Sequence, residues 1–208
     1  GKTALALNMA SYAAFDAGKN VAIFSLEMST QQLIMRMMCT RAQVSMTKVK
    51  QGVATDDDMI RLSDATSAMY SDRLVIDDTA NISVAEIRSK CRRMKTKQGL
   101  DLVIIDYLQL MKTSGKTENR VLEIGEITRA LKILAKELDV PIILLSQLSR
   151  AADKVRPTMA HLRESGAIEQ DADIVIMIYR EGAHNPEADN TAEIIVAKHR
   201  NGPTDTVY

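Results

Sequence analysis

At residues 102–106 the sequence reads Leu102-Val103-Ile104-Ile105-Asp106, four consecutive apolar residues followed by an acid. A continuous apolar run, unlike an alternating one, predicts a strand that is covered on both faces, as in a parallel sheet flanked by helices. Further short runs of the same kind predict strands at residues 21–24, 74–76, 142–145, 174–178 and 194–197.

Longer helical patterns separate these runs. Capping residues precede three of them: Ser29, Thr55 and Ser83, the last followed by Glu86 at the spacing of a capping box. The alternation of strand and helix along the chain predicts a single α/β domain over residues 1–208. The predicted helices cover residues 4–17, 30–42, 56–70, 84–97 and 119–138.

Composition narrows the class of protein. The 208 residues suffice for one domain with a sizeable core, and the formal net charge is zero. Zero net charge argues against a polycationic surface over the whole domain but is compatible with a local basic site. Two cysteines do not make a disulfide framework and suit a reducing cytosol. Since no run approaches the roughly 20 apolar residues of a membrane span, we expect a cytoplasmic protein.

The chain begins with Gly1-Lys2-Thr3, which matches the second half of the phosphate-binding pattern G-x-x-x-x-G-K-[ST] and opens a predicted helix. The tripeptide is a weak signal by itself, and it occurs again at residues 115–117. We expect the first half of this loop and the strand before it to be missing, so that the domain is truncated at both ends. We therefore expect the 208-residue chain alone to hydrolyse nucleotide weakly or not at all.

Polar residues follow three of the predicted strands, and ligands of open parallel sheets bind beyond the carboxyl ends of strands. These residues are Glu27, Asp106 and Gln147. Lys2 would neutralise phosphates, Thr3 and Asp106 would hold Mg²⁺, and backbone N–H groups from Gly1 onward would cradle the phosphates. Glu27 could polarise the attacking water and Gln147 could sense the γ-phosphate. The pattern predicts hydrolysis of a nucleoside triphosphate.

Five blocks then occur in a specific order, and together they resemble the C-terminal motor domain of the DnaB family of bacterial replicative DNA helicases. The resemblance extends from residue 1 to about residue 205. The blocks are SLEM at 25–28, IDYLQLM at 105–111, LSQLSR at 145–150, LRESGAIEQDAD at 162–173 and RNGP at 200–203.

The resemblance implies a RecA-like P-loop NTPase fold, with a mainly parallel twisted sheet flanked by helices and a final antiparallel β extension. It also implies an ATP-dependent helicase motor, in which a homohexameric ring hydrolyses ATP at its subunit interfaces and moves along single-stranded DNA. For the full-length protein it implies primase and a helicase loader as partners.

Site roles follow from the same resemblance. Gly1, Lys2 and Thr3 match the end of the P-loop, Glu27 the catalytic glutamate and Asp106 the Walker B aspartate. Gln147 matches a link between the γ-phosphate and the DNA loops. Lys198 and Arg200 match cations that reach the nucleotide held by the adjacent subunit. The loop that grips the DNA backbone is matched by Arg163, Glu164 and Gly166.

Other interpretations stay open at this point. A RecA-like recombinase would carry similar nucleotide motifs, and the chain could also be a binding or assembly module. The basic residues between Arg88 and Lys97 are better explained as a solvated helix face than as a nucleic-acid patch. Gly125 interrupts a predicted helix, and His199 separates Lys198 from Arg200; the sequence explains neither position.

Overall fold

The computed structural model describes residues 1–112, 119–153, 155–162, 166–185, 187–189 and 191–208. The strands are β1 Val21–Ser25, β2 Leu74–Asp77, β3 Leu102–Asp106, β4 Ile142–Leu144, β5 Ile174–Tyr179, β6 Glu193–His199 and β7 Thr206–Val207. The helices are α1 Lys2–Ser11, α2 Thr30–Ala42, α3 Met46–Gln51, α4 Asp56–Ala68, α5 Val84–Gln98, α6 Arg120–Leu138 and α7 Gly166–Asp171. All the predicted strands are confirmed.

Four parallel strands form the main sheet, in the order β2-β1-β3-β4. The two inner strands, β1 and β3, are in register, with Ser25 beside Asp106 at their carboxyl ends. Just beyond this pair the Leu26 N–H donates to the Asp106 carbonyl at 2.7 Å. The polar residues that follow β1 and β3 therefore leave the sheet at the same edge.

Helices cover both faces of the main sheet. On one face, Ile105 belongs to a buried cluster that includes Ile87 of α5 and Ile127 of α6. On the other face, Ile104 belongs to a second cluster, with Leu33 of α2 and residues of α1. Each large side chain buried in this way contributes about 1.5–3 kcal/mol of transfer free energy. The prediction of strands covered on both faces is confirmed.

The remaining strands form a separate antiparallel sheet in the order β5-β6-β7. β5 alternates between exposed and buried residues over its first four positions, as expected for a strand with one solvated face. The buried side packs Val175, Met177 and Ile195 into a small cluster of its own. The expected antiparallel extension is confirmed.

The predicted helix starts are confirmed by side-chain hydrogen bonds. Ser29, Thr55 and Ser83 each accept from the backbone N–H three residues later, and each is the first member of a complete capping box. These bonds satisfy N–H groups that a helix leaves without intrahelical partners. The sequence therefore determines where α2, α4 and α5 begin.

Helix ends and short helices differ from the predictions. The helix predicted over residues 4–17 is α-helical only to Ser11 and continues as a π-helix, Tyr12–Asp16. The helix predicted over residues 56–70 ends at Ala68, and neither α3 nor α7 was predicted. None of the described helices is long and apolar enough to cross a membrane.

Three basic residues of α5 form ion pairs with neighbouring elements. Arg88 and Arg92 pair with Glu137 of α6, and Lys90 pairs with Asp77 at the end of β2. The hydrogen bond from Arg92 is the largest influence that holds the pKa of Glu137 below its ordinary value. These contacts connect α5 to its neighbours within the chain.

Gly125 lies where α6 approaches α7 closely. A Cβ at this position would lie 3.3 Å from the Cβ of Ala167. One turn along α6, the Thr128 hydroxyl donates to Asp171 Oδ2 at 2.7 Å. Close packing of the two helices thus accounts for a glycine that costs α6 about 1 kcal/mol relative to alanine.

Candidate nucleotide-binding site

The first turn of α1 meets the carboxyl end of β3. The Thr3 hydroxyl donates to Asp106 Oδ2 at 2.7 Å. Asp106 is only 3% exposed, because it ends an inner strand of the sheet. A buried carboxylate needs hydrogen-bond donors, and Thr3 supplies one. The structure therefore brings together the two residues that the sequence predicts as metal ligands.

Lys2 points into the same region. Its Nζ lies 3.7 Å from the centroid of the Tyr107 ring, which is within the range of a cation–π contact. Burial lowers the pKa of Lys2 from its ordinary value, while the nearby negative charges of Asp106 and Glu27 act to raise it. Lys2 therefore lies at a partly desolvated site beside two carboxylates, with burial the larger influence on its pKa.

Two atoms of this site are buried without hydrogen-bond partners among the residues that the structure describes. They are Lys2 Nζ and Asp106 Oδ1. Leaving such groups unpaired is costly, and an anionic group beside Lys2 with a cation beside Asp106 would satisfy both. Carboxylate and hydroxyl oxygens are the donors that Mg²⁺ prefers. The residues present thus fit a phosphate ligand together with Mg²⁺.

Glu27 lies two residues beyond β1 and is exposed to solvent. The turn before it is fixed by Ser25, whose hydroxyl donates to the Met28 carbonyl at 2.7 Å and accepts from the Met28 N–H at 3.3 Å. The negative charge of Glu27 acts to raise the pKa of Lys2, less strongly than that of Asp106 does. Glu27 therefore shares the sheet edge with Lys2, Thr3 and Asp106, as the sequence predicts.

Gln147 follows β4 and is also exposed. Its backbone N–H donates to Gln109 Oε1 at 3.1 Å, and Gln109 Nε2 donates to the Ser146 hydroxyl at 2.8 Å. The side chain of Gln109 thus ties the segment after β3 to the segment after β4. Sequence reasoning missed the roles of Tyr107 and Gln109, although both stand in the conspicuous block that follows β3.

Lys198 and Arg200 form a second group at the end of β6. Lys198 Nζ donates to the Ala172 carbonyl at 2.7 Å, just past the end of α7. The Arg200 guanidinium donates to the Gln170 carbonyl at 3.1 Å and pairs with Asp173 Oδ1 at 3.2 Å. Carbonyls at a helix C-terminus carry partial negative charge, so both cations are well placed there. The partners named here lie in α7 and in the two residues that connect α7 to β5, not at the Lys2 site.

His199 shapes the turn that follows β6. Its ring covers Gly202 so closely that a Cβ there would lie 2.3 Å from His199 Cε1. His199 Nδ1 also lies 3.3 Å from the Pro203 carbonyl. This packing gives His199 a structural role that the sequence does not reveal.

The residues predicted to grip DNA are only partly described. Arg163 and Glu164 lie outside the described residues. Gly166 is the exposed first residue of α7, and a Cβ at this position would meet open space. The assignment of these three residues to DNA binding stays a prediction.

Comparison with known proteins finds relatives that are described as replicative DNA helicases. The chain is 50% identical to the replicative DNA helicase DnaB of Geobacillus stearothermophilus and 48% identical to the replicative DNA helicase DnaC of Bacillus subtilis (strain 168), in each case over all of this chain and 47% of the relative. The chain therefore spans about half the length of these relatives.

Two solved structures are also similar to it, both with a TM-score of 0.93 and 39% identity over 99% of this chain. One is described as an ATPase domain, of which 75% is covered. The other is described as a DnaB-like replicative helicase and its interactions with primase, of which 51% is covered. The family model for the DnaB-like helicase C-terminal domain matches residues 1–208. The chain belongs to the family of DnaB-like helicase C-terminal domains.

Proposed function

We propose that residues 1–208 form one RecA-like motor domain of an ATP-dependent replicative DNA helicase. ATP hydrolysis at the subunit interfaces of a hexameric ring would drive movement along single-stranded DNA and unwinding of duplex at the replication fork. The observation that carries this proposal is the contact of Thr3 with Asp106 beside the Lys2 ammonium, which is buried without a hydrogen-bond partner among the described residues. The helicase relatives, which match the whole chain, support the same assignment.

The proposed phosphate site is formed by the first turn of α1. Backbone N–H groups from Gly1 onward and the Lys2 ammonium would bind the phosphates of ATP. Thr3 and Asp106 would hold Mg²⁺, which when bound neutralises charge on phosphate oxygens. Because Lys2 lies in a partly desolvated position, its charge acts more strongly on a phosphate than the charge of an exposed lysine would.

Glu27 and Gln147 would act on the reacting end of the nucleotide. Glu27 is exposed and acidic, so it can accept a proton from an attacking water. The Gln147 side chain can donate and accept, which suits a group that responds to the γ-phosphate. The contact of Gln109 with the Gln147 backbone holds this residue at the sheet edge.

We assign Lys198 and Arg200 to the nucleotide of the adjacent subunit. Their contacts within the chain lie at α7 and Asp173, away from the residues that would bind the chain's own nucleotide. A guanidinium supplied by a neighbour can stabilise transition-state charge, and such a group is worth about 10³–10⁵ in kcat. This arrangement makes each active site depend on assembly of the ring.

The proposal also includes DNA and two proteins as partners. Arg163, Glu164 and Gly166 would contact the DNA backbone without reading its sequence. One structural relative is described with its primase interactions, which supports primase as a partner of the full-length protein. A helicase loader would be a second protein partner, as the family resemblance implies. Because the named relatives are bacterial replication proteins, we place this protein in the cytoplasm.

Unwinding of a forked DNA duplex tests the proposed function. The full-length protein, assembled as a ring, should unwind the fork with ATP, and Lys2→Ala in that protein should abolish both unwinding and ATP hydrolysis. Lys19→Ala, which changes an exposed lysine beyond the end of the same helical segment, is the matched control and should be active. Filaments that pair DNA strands without unwinding them would show a recombinase instead, and normal ATP hydrolysis by Lys2→Ala would exclude the proposed site.

A further inference from the structure

Asp173 lies between two cations from different parts of the chain. Its Oδ2 accepts from Lys132 of α6, and its Oδ1 lies 3.2 Å from an Arg200 guanidinium nitrogen. Asp173 and Arg200 are also joined through the backbone, since the Arg200 N–H donates to the Asp173 carbonyl at 2.8 Å. The Lys132 hydrogen bond, followed by the charges of Lys132 and Arg200, holds the pKa of Asp173 below its ordinary value. Asp173 is therefore ionised at neutral pH.

The Arg200 guanidinium uses only part of its donor set in these contacts. It carries five N–H donors, and within the described part of the chain it contacts the Asp173 carboxylate and the Gln170 carbonyl. Its side chain is 47% exposed, so other donors can reach a further anion from solvent. A fixed orientation and available donors are what a group that acts across an interface requires.

The Asp173–Arg200 ion pair is weak enough to leave Arg200 able to act across an interface. The side chains of Asp173 and Arg200 are 51% and 47% exposed, and ion pairs this exposed are weak. Such a pair restricts the rotamers of Arg200 but does not prevent it from meeting a stronger charge. Lys198 is held in a parallel way by the Ala172 carbonyl. Both cations are thus attached to the segment at the C-terminal end of α7.

We propose that Asp173 is a positioning residue for Arg200, which it orients toward the nucleotide of the adjacent subunit. The inference rests on the proposed function, because it needs Arg200 to act on that nucleotide. Asp173 itself touches neither the nucleotide nor DNA in this scheme. Asp173 affects the fraction of time for which the guanidinium points toward that nucleotide. It should therefore change the free energy of the transition state more than the affinity for ATP.

The test uses the protein assembled on single-stranded DNA, with the variants Asp173→Asn, Lys132→Met, Arg200→Ala and the double variant Asp173→Asn/Arg200→Ala. The measurements are kcat, the KM for ATP and the affinity for ADP–aluminium fluoride, a transition-state analogue. Asp173→Asn should lower kcat by about twofold to fivefold, because an ion pair this exposed is worth up to about 1 kcal/mol, with an unchanged KM and weaker binding of the analogue. Because Asp173 acts through Arg200, the kcat of the double variant should equal that of Arg200→Ala alone.

Lys132→Met separates positioning from simple bracing of the fold. It removes the other partner of Asp173 and leaves the pair with Arg200, so kcat should stay close to wild type. A kcat as low in Lys132→Met as in Asp173→Asn would overturn the proposal, because Asp173 would then act by connecting α6 to β5. If thermal unfolding shows that Asp173→Asn is poorly folded, Asp173→Ser replaces it. Asp173→Ser also lacks the charge, so it should show the same loss of kcat.

The outcomes also distinguish this inference from the proposed function. If Arg200→Ala abolishes DNA-stimulated hydrolysis while Asp173→Asn has normal kcat and analogue affinity, the positioning role is wrong and the role of Arg200 stands. If Arg200→Ala itself has normal activity, the assignment of Arg200 to the neighbouring nucleotide fails, and the role of Asp173 fails with it.

Discussion

Replacing Thr3 with valine tests the contact on which the candidate site depends. Valine keeps the branched shape of threonine and removes the hydroxyl that donates to Asp106 Oδ2 at 2.7 Å. Asp106 Oδ1 already lacks a partner among the described residues, and Asp106 is 3% exposed. The variant would therefore leave both oxygens of a buried carboxylate without a hydrogen bond.

The burial of the Asp106 carboxylate determines how much stability Thr3→Val should lose. Leaving a buried polar group unsatisfied costs roughly 1–3 kcal/mol, so we expect the free energy of unfolding to fall by about 2 kcal/mol. For a domain of about 150–250 residues this corresponds to a decrease in Tm of roughly 4–8 °C. Calorimetry of the nucleotide-free protein measures this loss independently of any activity. Thr3→Ser, which keeps the hydroxyl, is the matched control and should melt close to wild type.

A double-mutant cycle identifies the partner of the hydroxyl. In an Asp106→Ala background, Thr3→Val should cost clearly less than in wild type, because the oxygen left unsatisfied is no longer present. Equal Tm values for Thr3→Val and Thr3→Ser would refute the reasoning. The same Thr3→Val loss with and without Asp106 would show that the hydroxyl stabilises the fold through some other group.

Two further predictions concern acid stability and the lysine site. The hydrogen bond from Arg41 is the largest cause that holds the pKa of Asp16 below its ordinary 3.8, so this stabilisation is present above that value and is lost as the pH falls through the lower folded-state pKa. Arg41→Met should therefore flatten the decrease in stability between about pH 5 and pH 2.5 in urea titrations, and an unchanged slope would contradict the assignment. Tyr107→Leu should lower stability by about 1 kcal/mol relative to Tyr107→Phe, because only phenylalanine keeps a ring beneath the Lys2 ammonium. Equal stabilities of the leucine and phenylalanine variants would show that the ring face contributes nothing.

The strands and the predicted helix starts could be derived from sequence because their signals are local. Continuous apolar runs mark buried parallel strands, and Ser29, Thr55 and Ser83 mark helix starts through their own hydrogen bonds. The meeting of Thr3 with Asp106 was predicted from the phosphate-loop pattern of Gly1-Lys2-Thr3, together with the rule that ligands bind beyond the carboxyl ends of parallel strands.

The parts that sequence reasoning missed depend on distant contacts. The short helix α7 has too few residues to show a period. Its C-terminal end is bound by Lys198 of β6 and by Arg200, the residue after that strand, across 26 and 30 residues of sequence. The tie between Gln109 and the Gln147 backbone likewise joins segments 38 residues apart. No local pattern of amino acids carries such information.

The close approach of Gly125 to Ala167 has a consequence for how related chains can vary. With 3.3 Å between a Cβ at 125 and the Ala167 Cβ, the two positions share space for little more than one methyl group. A relative that carries alanine at the first position should compensate with glycine at the second, so the two residues are expected to change together. Since the Gln170 carbonyl of α7 also binds Arg200, an uncompensated methyl at 125 would shift α7 and, in the proposed ring, disturb the position of Arg200 without changing any nucleotide ligand.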